Sequence, residues 1–306
     1  DTLKYYVTYL GKTTENLNGA QQAQHEVLVL LNRLKKQFPQ SQKLIKIFFN
    51  GAYFISNSGN HQLALKTAEE IDNYFLANRQ AVLRELPSLY YIMGDFAARM
   101  ADNELAKSKY LQSLDFLKKI PDPDKADLVK AFHSMGFIFY NNSQYDSSLY
   151  YNSKAIAILG ENKDNIYAYN RLAAIQNHVG GVYTALGQTK EAKKYYEAAI
   201  ENSRKFLASP EPPPSVKEST VLTQLYAIGN LGTLYLEIND LAKAFSIYQY
   251  YQQQILEKFS NNRFEIGRSL LFLAIISNER HQYAQGKDYS LDAIINMKAS
   301  GNPETG

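Results

Sequence analysis

The chain has 306 residues, 45% of them hydrophobic, and 33 Lys and Arg against 30 Asp and Glu leave a net charge of +3. It contains no cysteine, which excludes disulfides, thiolate metal sites and cysteine nucleophiles. Its charges are interspersed rather than gathered in the basic stripe of a nucleic-acid binder, and no apolar run approaches the ~20 residues of a membrane-spanning helix.

Taken in order, residues 1–19 hold an apolar-aromatic segment, with Leu3, Tyr5, Tyr6, Val7, Tyr9 and Leu10, and then turn residues. From 20 to 38 the positions Ala23, Val27, Leu30, Leu31 and Leu34 recur at helical spacing, which predicts an amphipathic helix ended by Pro39. Helix pairs follow at 41–57 with 61–78, 87–100 with 103–120, 125–141 with 144–159, 165–186 with 190–207, 216–238 with 241–259, and 263–280 with 283–298. Turn residues separate them, among them Pro121-Asp122-Pro123-Asp124. The proline-rich run from Ser209 to Ser215 reads as a stiff extended connector. Residues 300–306 form a tail.

The pairs share a register. A small residue recurs in the first helix at Ala52, Gly94, Gly136, Gly180, Gly232 and Ala274, at separations of 42, 42, 44, 52 and 42 residues. Twelve positions later stand Ala64, Ala106, Ser148, Ala192, Ala244 and Gly286, and four beyond those Ala68, Tyr110, Asn152, Tyr196, Tyr248 and Ser290. This order of small and aromatic residues, cleanest from Ile228 to Tyr251, resembles the tetratricopeptide repeat, a helix-turn-helix unit of 34 residues. Repeats of 42 to 52 residues resemble the elongated type found in peptide-pheromone receptors, in Rap-type regulators and in bacterial sensor kinases with such repeats. The resemblance implies an all-α, right-handed solenoid of antiparallel helix pairs, with about six repeats over 41–299 after a partial repeat or cap at 1–40.

Signs of catalysis are missing. His25-Glu26 lacks the second histidine of a zinc-protease helix, and the five histidines are never closer than 36 residues in sequence. Gly180-Gly181 is not followed by a phosphate-loop lysine. The chain therefore reads as a non-enzyme with no cofactor and no metal. A tertiary site formed by His133, His178 and nearby carboxylates is the enzymatic alternative.

The resemblance implies that first helices line a concave groove for a peptide or protein segment. Carried onto this chain, the groove positions are Lys46, Phe49, Asn50 and Tyr53, then Tyr91 and Arg99, then Lys130, His133, Phe137 and Tyr140, then Asn177, Tyr226, Asn230 and Arg268. Amides among them suit a peptide backbone and rings suit its side chains. The last helix carries Leu291, Ile294, Ile295 and Met297 on a face that no following element covers. With a start at Asp1, this points to an excised part of a longer protein. The expectation is the sensor or interaction region of a bacterial signalling protein, extracytoplasmic by its likeness to sensor kinases, with a cytoplasmic scaffold or pheromone receptor as the alternative.

Overall fold

A computed structural model describes residues 17–37, 43–161, 165–210 and 213–300, without the side chains of residues 17–23, 43, 46, 78 and 215. Among the described residues there are thirteen α-helices: α1 (Leu17–Gln37), α2 (Lys43–Asn57), α3 (His61–Tyr74), α4 (Leu86–Arg99), α5 (Asn103–Leu117), α6 (Lys125–Asn141), α7 (Tyr145–Gly160), α8 (Ile166–Ala185), α9 (Thr189–Leu207), α10 (Pro214–Glu237), α11 (Leu241–Lys258), α12 (Arg263–Glu279) and α13 (Tyr283–Ala299). No strand accompanies them. The apolar segment expected at 3–10, the break at Pro39, Glu211 and Pro212 of the connector, and the tail at 301–306 lie outside the described residues.

One left-handed residue ends the first helix of every repeat: Gly59, Ala101, Ser143, Gly187, Asn239 and His281 all have positive φ. Each stands seven places after the small residue of its repeat. The next residue donates its N–H to a carbonyl five positions back, as Asp102 does to Ala97 at 3.0 Å and Asp240 to Tyr235 at 2.8 Å. That bond satisfies carbonyls the helix end would leave open. Asn60, Asp102 and Asp240 then cap the second helices, their side chains accepting from the N–H of Leu63, Leu105 and Lys243.

Four of these six turns use a residue with a Cβ, which the left-handed region penalises. Ala101, exposed and with φ 59°, has no side-chain hydrogen bond to offset that strain. Ala101→Gly is therefore expected to stabilise the protein by about 0.5–1 kcal/mol, measured by denaturant unfolding. An unchanged midpoint would show that the turn carries no strain.

Within a repeat, the small residue of the first helix faces the residue sixteen positions on. A Cβ built on Gly94 would meet the ring of Tyr110, and one on Gly180 would lie 2.5 Å from the ring of Tyr196. Gly136 faces Asn152 and Gly232 faces Tyr248 in the same way. Where alanine takes the slot, at Ala52 and Ala274, the residue sixteen on is small, Ala68 and Ser290. Close approach of the helices therefore needs one small partner in each pair, and glycine appears where the other is large.

The helices divide into two compact units, residues 1–155 and 156–306, with the boundary inside α7. In the first, α2 pairs with α3 and α4 with α5, α1 packs on α2, and α2, α4 and α6 touch in succession as one layer. Phe139 stacks on Tyr151 at 5.3 Å where α6 meets α7. In the second, α8 pairs with α9, α10 with α11 and α12 with α13, and the first helices α8 and α10 touch directly.

Several helix ends differ from the sequence expectation, among them the start of α1 at Leu17 rather than 20 and the end of α5 at Leu117 rather than 120; two others have a visible cause. Helix α3 stops at Tyr74 rather than 78, and a 3-10 stretch, Leu76–Val82, follows. Phe75 just before that stretch and Val82 at its end are buried, and Arg79 bonds Asp72 at 2.8 Å, so tertiary contacts override the local helical pattern. At the connector, Pro213 and Pro214 serve as cap and first residue of α10, where a fixed φ and a missing donor cost nothing.

Candidate functional site

The first-helix layer of each unit carries the expected groove residues. In the first unit, Phe49, Asn50 and Tyr53 recur on one side of α2, and Arg84, Ser88, Tyr91 and Asp95 follow at spacings of 4, 3 and 4 along the start and body of α4. Ile45, Phe49 and Asn50 of α2 and Arg84, Glu85 and Ser88 beside α4 line a cavity of about 500 Å³. It offers an aromatic wall, an amide, a guanidinium, a carboxylate and a hydroxyl in one place, a mix that suits a small polar group held against an apolar surface. The side chain of Lys46 falls outside the described ones.

Further along, Tyr53 packs against Phe49 at 5.3 Å and edge-on to Phe96 at 5.7 Å. Asp95 accepts from the hydroxyl of Tyr110 at 3.2 Å and also from that of Tyr53. Burial pushes the Asp95 carboxyl above its usual range, against the pull of those bonds and of the Arg99 charge. The same burial, together with Asp95, raises the Tyr53 hydroxyl. Tyr91 lies 5.4 Å from the ring of Tyr110 and reaches Ser134 of α6 at 3.3 Å. On α6, Lys130 is exposed and ion-paired to Asp127 at 3.1 Å, Phe137 is 48% exposed, and Tyr140 packs against Tyr145 at 5.9 Å.

His133 is directed to the second helix of its repeat. Its Nδ1 is 3.0 Å from Oδ1 of Asn152, whose Nδ2 donates to the Ser148 carbonyl at 2.8 Å. That orientation leaves an acceptor facing the ring, so Nδ1 carries the proton. Burial lowers the His133 pKa, with the Asn152 bond opposing. Among the described residues no three His, Asp or Glu side chains are grouped to hold a metal, and no helix is long and apolar enough to cross a membrane.

In the second unit, amides join adjacent first helices. Asn230 donates from Nδ2 to Oδ1 of Asn177 at 3.0 Å, and Asn170 donates to Thr220. Asn177 and Asn230 are both partly exposed. On α12, Glu265 has only 6% of its side chain exposed and is held from two sides. Tyr251 donates to its Oε2 at 2.6 Å and Arg268 pairs with the same atom at 2.7 Å. The Arg268 guanidinium also lies 5.5 Å from the ring centre of Tyr226. Burial raises the Tyr226 hydroxyl, and the Glu265 charge adds to that.

The sequence reading missed Arg84, Glu85, Ser88 and Glu265. Arg84 and Ser88 were detectable as a backward extension of the stripe through Tyr91 and Asp95. Glu265 stands three residues before Arg268 on α12, a helical ion-pair spacing, but its burial depends on Tyr251 of the preceding helix.

Residues 173–206 match the family model described as a tetratricopeptide repeat. No curated protein sequence matches the chain. Among solved structures, the apo form of RapI is similar over 100% of this chain and 79% of its own, at 16% identity and a TM-score of 0.68. BtubC (BKLC) from P. vanneervenii is similar over 79% and 90% respectively, at 15% identity and 0.59. A putative kinesin light chain with nearly identical repeats, from P. anserina, is similar over 72% and 98%, at 15% identity and 0.55. The helix pairs and the shared register give this chain a tetratricopeptide-like helical solenoid fold, with one repeat, residues 173–206, matching the family model.

Proposed function

We propose that the first-helix faces bind an extended peptide or protein segment, and that the chain is the sensor or interaction region of a bacterial signal-transduction protein. The observation that carries the binding reading is the Asn177–Asn230 pair. An amide has a donor end and an acceptor end, and this contact uses one end of each. The remaining Nδ2 of Asn177 and Oδ1 of Asn230 are complementary to one peptide group, C=O to the first and N–H to the second. Taken by itself, the other unit offers partly exposed rings on its first helices, Phe49, Tyr53 and Phe137, a separate surface that suits apolar side chains of a bound segment. The signalling part rests on likeness to RapI over the whole chain and on the elongated repeats.

A thermal-shift screen of the 306-residue chain against a peptide library tests this, because a ligand of the folded state raises the melting temperature. Asn177→Ala with Asn230→Ala removes both partners, so neither is left unpaired, and the variant is expected to melt close to the parent. It should bind a peptide hit at least about tenfold more weakly, the loss of one or two hydrogen bonds. Undiminished binding by the double variant would remove the asparagine pair from the site.

A further inference from the structure

Helix α13 presents an outward stripe, Asp288, Leu291, Ile295 and Lys298, spaced 3, 4 and 3 residues apart. All four are exposed, Leu291 by 51% and Ile295 by 63%. Counted from the small slot of each repeat, Leu291 and Ile295 take the places that Gln249 and Gln253 hold on α11 and Glu197 and Glu201 hold on α9. Those four polar residues are exposed although another repeat follows each of them. By contrast, Ile294 corresponds to Ile200, which is buried at 7% among residues of the neighbouring repeat. Ile294 thus marks the face a following helix covers, whereas Leu291 and Ile295 occupy a face that stacking of repeats leaves in solvent. Two large apolar residues there, in place of amides and carboxylates, need an occupant of another kind.

From this stripe we infer that α13 is a self-association surface, joined by α13 of a second copy running antiparallel. The stripe is its own complement. About a two-fold axis at residue 293, Leu291 meets Ile295 of the other copy, and Asp288 meets Lys298. A two-fold contact repeats each pair, so two apolar pairs are flanked by two pairs of opposite charge. The spacing of 3 and 4 keeps all four residues on one seam, as in a coiled coil. A parallel arrangement would instead set aspartate against aspartate and lysine against lysine. One pair of short helices buries less than the ~1,200 Å² of a stable interface, so the dimer forms at a concentration on the order of 0.1 mM. This inference stands apart from the peptide-binding reading, which concerns the first helices.

Sedimentation of the 306-residue chain from about 10 µM to about 1 mM tests it. The weight-average mass is expected to rise from one chain toward two. Ile295→Asp should weaken association at least about tenfold, by setting a carboxylate in the apolar seam. Asp288→Lys and Lys298→Asp should each weaken it several-fold by creating like-charge pairs, and the double swap should return it to near the parent value. Circular dichroism of each variant checks that these surface changes leave the fold intact. A chain that stays monomeric throughout, or a double swap no tighter than its single changes, would overturn the proposal and leave the stripe to a different protein.

Discussion

Arg268→Ala is expected to lower the free energy of unfolding by about 2–3 kcal/mol, although the residue was expected to face a ligand. Its guanidinium neutralises Glu265, whose side chain is 6% exposed, through a 2.7 Å ion pair, and it donates to Tyr251 at 2.8 Å. Removing it leaves a buried carboxylate with only the neutral hydroxyls of Tyr251 and Tyr226 beside it. Breaking a fully buried pair costs about 3–5 kcal/mol, and because Arg268 itself is 35% exposed, solvent reduces the loss. Urea unfolding measures it. A second variant separates charge from packing: Arg268→Met with Glu265→Gln removes both charges while keeping similar volume, and should cost clearly less than Arg268→Ala. If the two variants are equally unstable, the pair contributes through packing alone.

Gly180→Ala and Gly181→Ala should move stability in opposite directions. Both glycines lie inside α8, where alanine is favoured by about 1 kcal/mol. At Gly181 the nearest atom to an added Cβ is the Tyr196 hydroxyl at 3.9 Å, so that gain is kept. At Gly180 the Cβ would fall 2.5 Å from the Tyr196 ring, which is buried and tied to Thr184 at 3.0 Å, so α9 must shift or the ring must turn. Overpacking of this kind costs about 1–3 kcal/mol. The two alanine variants should therefore differ by about that amount in chemical denaturation, with Gly181→Ala the more stable. Equal stability would mean that the helix pair has slack at its closest approach.

The repeat architecture was legible because it rests on contacts at fixed separations. Gly94 and Tyr110, or Gly180 and Tyr196, are sixteen residues apart whatever surrounds them, and a separation can be counted. Adjacent tyrosines follow the same register. Tyr90 and Tyr196 are buried while their neighbours Tyr91 and Tyr195 are partly exposed, and Tyr251 is buried beside a Tyr250 that is 49% exposed. The family model matches in α8 and α9, one repeat before the copy from Ile228 to Tyr251.

Features set by sequence-distant partners were not legible. Asn177 read as a hydrogen-bonding residue, yet its partner Asn230 is 53 positions away on another first helix. Arg268 and His133 were placed in the groove by the resemblance, whereas Tyr251, seventeen positions from Arg268, and Asn152, nineteen from His133, take up part of their bonding capacity. The left-handed conformations at Ala101 and Ser143 were hidden because neither residue favours that conformation locally. There the repeat geometry imposes a backbone that glycine supplies freely at Gly59 and Gly187.

The central claim, that first helices carry the binding face, is tested most directly by hydrogen exchange of the 306-residue chain with and without a peptide that raises its melting temperature. Bound peptide is predicted to slow exchange along first helices, in α8 and α10 around Asn177 and Asn230 or in α2 and α4 around Asn50 and Tyr91, and to leave the outward faces of α9 and α11 unchanged. Protection confined to the second helices would contradict the account and place the binding surface on the opposite side of the repeats.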